Sequence, residues 1–243
     1  MSILLVLGAS SDLAKATARC YADKGYDLIL AGRDQEELKR DALDLQIRFK
    51  VNATAVKFDA LNTSVHQNFY DSLSPKPDGV LCAVGYLGNQ AKGEQVPAES
   101  LTILETNFLG CVSILNIIAN DFERRRAGFI IGISSVAGDR GRRSNYLYGS
   151  AKAGFIAYLS GLRSRLFRAQ VQVLTVKPGF VSTRMTEGMN LPSFLTAKAE
   201  TAAKDIMNAQ QKGRHVVYTL WFWRWVMMVI RLIPEFVFKK LPL

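Results

Sequence analysis

The chain has 243 residues, of which 49% are hydrophobic and 21% charged, which excludes disordered and fibrous proteins and leaves enough apolar residues for a sizeable core. Three cysteines and two histidines, with no Cys-x-x-Cys pair, exclude a disulfide framework and disfavour a metal site, so we expect free thiols in a reducing cytoplasm. The net charge of +10 would suit a nucleic-acid partner, but no aromatic residues interleave with the arginine clusters, so we expect no nucleic-acid groove.

Short apolar runs alternate with longer helical patterns along the chain. Strands are predicted over 2–7, 27–31, 53–58, 79–83, 128–134, 171–177 and 215–218, and helices over 12–24, 35–50, 64–73, 97–122, 146–168 and 197–212. Several strands are unbroken Ile, Leu and Val runs, which is typical of strands covered on both faces. The order predicts an α/β fold, a doubly wound parallel sheet of Rossmann type between two helical layers, as one domain over 1–218 followed by a tail over 219–243.

The first strand ends in a loop that has the position and composition of a dinucleotide-binding turn. Gly8 permits a tight turn, and the helix that follows would direct its positive end at an anion such as a pyrophosphate. Only the first glycine of a Gly-x-x-x-Gly-x-Gly loop is present, so an ordinary turn with Ser11 or Asp12 as a helix cap is the alternative. The loop reads Gly8-Ala9-Ser10-Ser11-Asp12-Leu13-Ala14.

The ends of the second and third strands bear on the choice of cofactor. Gly32 stands where an NAD site commonly has a carboxylate, and Arg33 follows it. Because an arginine attracts the 2′-phosphate that a carboxylate would repel, NADP(H) is favoured over NAD(H), although Asp34 lies one residue further on. Asp59 after the third strand would bond the adenine amino group, or alternatively cap the next helix.

Three polar residues near the fifth strand form a candidate catalytic group. Ser135 follows the strand, Tyr148 comes thirteen residues later, and Lys152 comes four residues after Tyr148. Four residues is just over one helical turn, so Tyr148 and Lys152 share a face. A Tyr-x-x-x-Lys pattern alone is common, but its combination with a strand-end serine behind a nucleotide loop favours catalysis over simple packing.

On these residues the sequence resembles the short-chain dehydrogenase/reductase family, from residue 2 to about 218. Two departures concern how the cofactor is held: the loop after the first strand has lost two glycines, and the usual Asn-Asn-Ala-Gly segment reads Cys82-Ala83-Val84-Gly85. The segments that carry the resemblance are Gly8-Ala9-Ser10-Ser11, Thr106-Asn107-Phe108-Leu109-Gly110, Ile133-Ser134-Ser135-Val136-Ala137-Gly138, Tyr148-Gly149-Ser150-Ala151-Lys152 and Lys177-Pro178-Gly179-Phe180-Val181-Ser182-Thr183.

The resemblance implies hydride transfer between a nicotinamide and a ketone or secondary alcohol, in a homodimer or homotetramer. Tyr148 would donate or accept the proton, the Lys152 ammonium would favour its phenolate, and Ser135 would hydrogen-bond the substrate oxygen. Asn107 would hold a water that relays protons from Lys152. The implied cofactor-binding residues are Gly8, Ser10, Ser11, Asp12, Leu13, Arg33, Asp59, Ala60, Ala83, Val84, Gly85, Tyr148, Lys152, Pro178, Gly179, Val181 and Thr183.

Two features exceed the family pattern. Arg140, Arg142 and Arg143 lie between Ser135 and Tyr148 and would clamp a substrate phosphate; solvent exposure or contacts across an oligomer interface are the alternatives. Residues 218–233 are too short and too charged to span a bilayer, but their arginines and three tryptophans suit a helix lying in a membrane interface. The alternative is a helix packed on the core or at a subunit interface.

The arginine-rich stretch and the tail resemble bacterial reductases of polyprenyl-phosphoryl keto-pentoses. This resemblance implies a hydrophobic, phosphorylated, lipid-linked substrate and a cytoplasmic enzyme that is peripheral on the inner face of the membrane. A general carbonyl or 3-oxoacyl reductase, whose tail shields an acyl pocket, is the second hypothesis. A non-catalytic NADP-binding sensor or scaffold is the third.

Overall fold

The computed structural model describes residues 2–188 and 192–241. Its strands are β1 (Ile3–Leu7), β2 (Asp27–Gly32), β3 (Ala53–Lys57), β4 (Gly79–Cys82), β5 (Phe129–Ile133), β6 (Gln172–Pro178), β7 (Phe180–Ser182), β8 (Thr196–Lys198) and β9 (Val216–Thr219). A parallel seven-stranded sheet has the order β3-β2-β1-β4-β5-β6-β9, and β7 pairs separately with β8. The predicted doubly wound parallel sheet is confirmed.

Helices cover both faces of the sheet. They are α1 (Asp12–Ala22), α2 (Gln35–Phe49), α3 (His66–Ser72), α4 (Gln90–Gln95), α5 (Pro97–Leu104), α6 (Gly110–Arg125), α7 (Tyr146–Leu166), α8 (Ala199–Gln211), α9 (Trp223–Leu232) and α10 (Glu235–Phe238). Side chains alternate across β1, so that Leu4 and Val6 join a core with α1, α2 and α8. Leu5 and Leu7 join a second core with α3, α6 and α7.

The helix predicted over 97–122 is two helices separated by a π-helical turn, Glu105–Leu109. Such turns interrupt the regular hydrogen-bond ladder and often occur at functional sites, and this one contains Asn107. The short elements α4, β7 and β8 were not predicted, because they are too brief to show a hydrophobic period.

Within residues 2–188 and 192–241, one continuous helical stretch, Pro97–Arg125, has the length and apolar composition that a membrane span would need. Its side chains Ile114, Leu115 and Ile118 are fully buried in the core against the sheet. This burial is what a core helix of an α/β domain requires, and it accounts for the apolar composition.

Candidate active site

A cleft of about 600 Å³ opens at the carboxyl ends of the strands. β2 and β3 lie on one side of β1 and β4 lies on the other side, so the strand order reverses between β1 and β4. Ligands of doubly wound sheets bind at this point. Every predicted cofactor residue lines the cleft, and so do Ser135 and Arg142.

The loop after β1 packs closely on the loop after β4. Gly8 has a φ of +76°, in the left-handed region that favours glycine, and a Cβ there would lie 2.8 Å from the Val84 nitrogen. The Ser11 hydroxyl caps α1 by accepting a hydrogen bond from the Ala14 N–H at 3.2 Å. The loop therefore keeps a tight turn and a capped helix although two of the usual glycines are absent.

Arg184 ties this loop to the segment after β7. The Asp12 carboxylate accepts a hydrogen bond from the Arg184 backbone N–H at 2.7 Å and pairs with its Nε at 3.3 Å. The Arg184 guanidinium also donates to the Ser10 carbonyl and lies 3.2 Å from Glu37 Oε1. The same Glu37 oxygen accepts from the Lys15 ammonium at 2.8 Å, which lowers the pKa of the Glu37 carboxyl. Arg184 lines the cleft and was not predicted from the sequence.

The end of β2 presents one cation to the cleft. Arg33 is exposed and takes part in no ion pair among the residues that the structure describes. Asp34 caps α2, where its carboxylate accepts the Glu37 N–H at 3.0 Å. The Ser10 hydroxyl lies 3.6 Å from the position that a Cβ on Gly32 would occupy, so it is adjacent to this strand end.

Asp59 after β3 is used partly in a local turn. One oxygen of its carboxylate accepts the Leu61 N–H at 3.0 Å, and its backbone carbonyl contacts His66 Nε2 at 3.1 Å. The residue still lines the cleft. A contact with an adenine amino group stays a prediction.

Tyr148 and Lys152 occupy successive turns of α7. The Lys152 ammonium lies 5.6 Å from the centroid of the Tyr148 ring. Lys152 is only 2% exposed, and its ammonium is held by the carbonyls of Ile133 at 3.2 Å and Val84 at 3.4 Å. The first carbonyl belongs to the last residue of β5 and the second to the loop after β4, so the carboxyl edge of the sheet fixes the cation next to the phenol.

Ser135 is brought to α7 by two glycine contacts. A Cβ on Gly149 would lie 3.0 Å from the Ala137 carbonyl oxygen, and one on Gly138 would lie 2.7 Å from the Lys152 carbonyl carbon. The Ser135 hydroxyl accepts the Ala137 N–H at 3.1 Å. The turn that carries Ser135 therefore packs directly on the helix that carries Tyr148 and Lys152.

Asn107 is fully buried and does not line the cleft itself. Its side-chain oxygen accepts the Tyr86 N–H at 3.1 Å, and its amide donates to the carbonyls of Tyr86 at 2.6 Å and Ile103 at 2.8 Å. The side chain thus fixes the loop after β4. A relay water, which stays a prediction, would have to bind the main-chain carbonyl of Asn107 or the remaining lone pair of its amide oxygen.

Of the three predicted phosphate-binding arginines, Arg142 lines the cleft and Arg140 and Arg143 do not. Arg142 Nη2 lies 3.4 Å from the Met227 sulfur, and its buried Nε has no hydrogen-bond partner among the described residues. Burial lowers the pKa of this guanidinium. The buried Asn145 Oδ1, on another residue of the cleft wall, also lacks a partner in the described part of the chain. The nearby Asp139 carboxylate partly offsets the shift in the Arg142 pKa, but it pairs with Lys177. A half-buried cation that forms no ion pair is costly unless an anion joins it.

Arg140 contacts the C-terminal segment and not the cleft. Its guanidinium donates to the carbonyls of Ile230 and Ile233, both at 2.6 Å, and to the Glu235 carboxylate at 2.9 Å. It also lies 3.7 Å from the centroid of the Phe238 ring. The predicted role in substrate binding is therefore corrected for Arg140, because its donors satisfy the free carbonyls at the end of α9. Arg143 is exposed.

The inner face of α9 packs beside the cleft. The Trp223 indole covers Gly179, where any side chain would collide with it, and its Nε1 donates to the Leu195 carbonyl at 3.2 Å. Trp223 also meets the Phe180 ring edge to face at 5.2 Å and is 3% exposed. The prediction that all three tryptophans lie at a membrane surface is wrong for Trp223, and the alternative of packing on the core holds for this face.

Comparisons with known proteins agree on one family. The profile of the short chain dehydrogenase family matches residues 2–192. An uncharacterized oxidoreductase of Mycobacterium tuberculosis is 35% identical over 242 residues, covering 98% of this chain and 96% of the relative.

Solved structures agree on the fold. A short-chain dehydrogenase from Sphingobium yanoikuyae, solved in complex with NADPH, superposes with a TM-score of 0.84 at 18% identity, covering 97% of both chains. A 3-oxoacyl-[acyl-carrier protein] reductase from Brucella melitensis superposes with a TM-score of 0.79 at 17% identity, covering 90% of both chains.

Proposed function

The chain belongs to the short-chain dehydrogenase family, and from that premise we propose an NADP(H)-dependent reductase that uses Tyr148 to protonate a ketone oxygen. The observation that carries the proposal is the convergence of two sets of residues on one cleft. Ser135, Tyr148 and Lys152 line the same cleft as the loop that begins at Gly8. A nucleotide and a carbonyl compound that share this cleft would meet at the phenol.

Tyr148, Lys152 and Ser135 have separate roles in the proposed reduction. NADPH, when bound, supplies the hydride. The Tyr148 hydroxyl donates a proton to the oxygen of the reduced carbonyl, and the adjacent Lys152 ammonium stabilises the phenolate that remains. The Ser135 hydroxyl donates a hydrogen bond to the same substrate oxygen, where negative charge develops.

The residues present fit a dinucleotide with a 2′-phosphate. The loop after β1 presents a capped helix start, a site that favours a pyrophosphate. Arg33 supplies an exposed cation at the end of β2, and the Asp34 carboxylate next to it is engaged in capping α2. NADP(H) is therefore preferred to NAD(H). Val181, Thr183 and the Pro178–Gly179 turn would hold the nicotinamide end.

We propose that the ketone is part of a phosphorylated, lipid-linked sugar, a polyprenyl-phosphoryl keto-pentose. Arg142 supports this choice, because it is a half-buried cation of the cleft wall that forms no ion pair among the described residues, and the nearby Asp139 carboxylate is paired with Lys177. A substrate phosphate would provide the missing anion and would accept hydrogen bonds from the guanidinium. Such a substrate places the enzyme in the cytoplasm, at the inner face of the membrane.

A general carbonyl or 3-oxoacyl reductase is the second candidate. It is favoured by the apolar side chains of the cleft wall, which would suit an acyl chain: Leu87, Val136, Phe180 and Met185. A sensor without catalysis is disfavoured, because such a protein has no need for a buried ammonium beside an intact Tyr148 and Ser135.

Turnover of matched ketones separates the candidates. NADPH oxidation would be followed with a polyprenyl-phosphoryl keto-pentose, the same keto-pentose without phosphate and lipid, and a 3-oxoacyl thioester. Replacing Arg142 with Gln should lower kcat/KM for the phosphorylated ketone by about ten- to a hundredfold, since a hydrogen bond to a charged group contributes about 1.5–3 kcal/mol. The exposed Arg143→Gln variant is the matched control and should behave as wild type. If Arg142→Gln and wild type turn over every ketone equally well, Arg142 does not bind a substrate phosphate. If the thioester is the preferred substrate, the second candidate function is favoured.

A further inference from the structure

The helix α9 has apolar residues on two opposite sides. Trp223 and Met227 form the inner side, which is buried on the cleft wall. Successive helical residues are about 100° apart, so positions two, five, six and nine residues after Trp223 lie on the opposite side. All four are apolar and exposed: Trp225, Met228, Val229 and Leu232.

The segments before and after α9 also carry exposed aromatic residues. Trp221 before α9 and Phe236 in α10 are also exposed. Trp225 is 52% exposed and Leu232 is 74% exposed. Together these residues form what we call the tail face: Trp221, Trp225, Met228, Val229, Leu232 and Phe236. A group of exposed apolar side chains of this kind indicates an interaction surface.

The charges around the tail face are almost all positive. Residues 219–243 contain four cationic side chains and one carboxylate, a net side-chain charge of +3. The carboxylate, Glu235, is already paired with Arg140. Arg224 and Arg231 lie seven residues apart, on one flank of α9 between its two apolar sides. Lys239 and Lys240 follow α10 and are exposed.

We propose that the tail face docks the protein on an anionic lipid surface. The tryptophans and leucine would enter the boundary between headgroups and acyl chains, and the four cations would contact lipid phosphates. A second copy of this chain fits less well, because a symmetric contact would bring the same cations together without carboxylates to pair them.

Docking through this face would also position the cleft. The inner side of the same helix contacts Arg142 through Met227 and covers Gly179 through Trp223. The membrane would therefore lie one helix thickness from the cleft wall. Access of a lipid-linked ketone to the cleft from the membrane rests on the proposed function, whereas the docking itself does not depend on it.

Sedimentation with lipid vesicles tests the docking surface on the full chain. We would compare vesicles of pure phosphatidylcholine with vesicles of phosphatidylcholine and phosphatidylglycerol in equal amounts. Wild type should bind the anionic vesicles at least about tenfold better than the neutral ones, and the combined Trp225→Gln and Leu232→Gln variant should lose about tenfold in binding. Arg224→Gln with Arg231→Gln should reduce the preference for anionic vesicles. Phe167→Gln, which changes an exposed ring at the end of α7, should bind as wild type.

Thermal unfolding and turnover of a small ketone in solution show that each variant is folded. Failure of wild type to bind either vesicle, or unchanged binding by the Trp225→Gln and Leu232→Gln variant, would overturn the proposal. If sedimentation velocity shows wild type as an oligomer and the Trp225→Gln and Leu232→Gln variant as a monomer, the tail face binds a second copy of this chain and the lipid proposal is overturned. Vesicle binding without ketone turnover would sustain the docking surface and reject the reductase.

Discussion

Arg33 and Arg142 both line the cleft, but their surroundings differ. Arg33 is exposed at the end of β2, on the side where an adenosine would lie, whereas Arg142 is half-buried between the loop after β5 and Met227 of α9. An exposed arginine suits a cofactor phosphate that stays hydrated. A half-buried arginine suits a substrate anion that leaves water on binding.

Replacing Arg33 with Asp should reverse the cofactor preference. The new carboxylate would repel a 2′-phosphate and accept hydrogen bonds from a 2′-hydroxyl. The ratio of kcat/KM with NADPH to kcat/KM with NADH should fall by about tenfold or more, because a charge-assisted hydrogen bond is lost. Arg40→Asp, an exposed change on α2 outside the cleft, controls for net charge. An unaltered ratio in Arg33→Asp would show that the 2′-phosphate binds elsewhere.

Some residue roles could be predicted from the sequence and others could not. Ser135, Tyr148 and Lys152 lie within eighteen positions of one another in a recognisable spacing, so their grouping was predictable. Arg184 meets Asp12 across 172 positions, and only the tertiary fold determines that contact. The replacement of a loop glycine by Asp12 was the one signal that a cation would be needed nearby.

At the scale of elements, the loop after β5 fixes the C-terminal tail through polar contacts of two successive residues. Asp139 in this loop pairs with Lys177 at 2.5 Å and accepts a hydrogen bond from the Tyr218 hydroxyl at 2.8 Å. Arg140, the next residue, holds the end of α9. The sequence predicted a tail helix, but it could not predict the hydrogen bonds from Arg140 to the end of α9. The partners of Arg140 are mainly backbone carbonyls, which carry no sequence signal.

Removing the Arg140 side chain should loosen α9 and α10. Arg140→Ala leaves the carbonyls of Ile230 and Ile233 without their donor, and we expect the free energy of unfolding to fall by about 1–3 kcal/mol. Chymotrypsin should also cut the aromatic tail faster than in wild type. Denaturant unfolding and limited proteolysis measure the two effects, with Arg143→Ala as the control. If Arg140→Ala is as stable as wild type and is cleaved at the same rate, Arg140 does not hold the end of α9.

At the scale of the whole molecule, the alternation of strand and helix predicted the architecture well. All seven predicted strands occur in the parallel sheet. The central strands β1 and β4 are buried along their whole length, and their unbroken apolar runs can be read directly from the sequence. The break in the helix predicted over 97–122 was not visible, since the π-helical turn keeps the apolar pattern. Which part of α9 would be buried was also not visible, because apolar residues surround this helix everywhere except on the flank that carries Arg224 and Arg231.

The whole account depends on a proton supplied by one phenol. Tyr148→Phe removes only the hydroxyl, and Tyr146→Phe, two residues earlier and outside the cleft, is the matched control. With NADPH and any ketone that wild type reduces, Tyr148→Phe should lower kcat by about 10²–10⁴-fold while NADPH binding, followed by its fluorescence, stays close to that of wild type. Turnover by Tyr148→Phe within about twofold of wild type would show that another group delivers the proton.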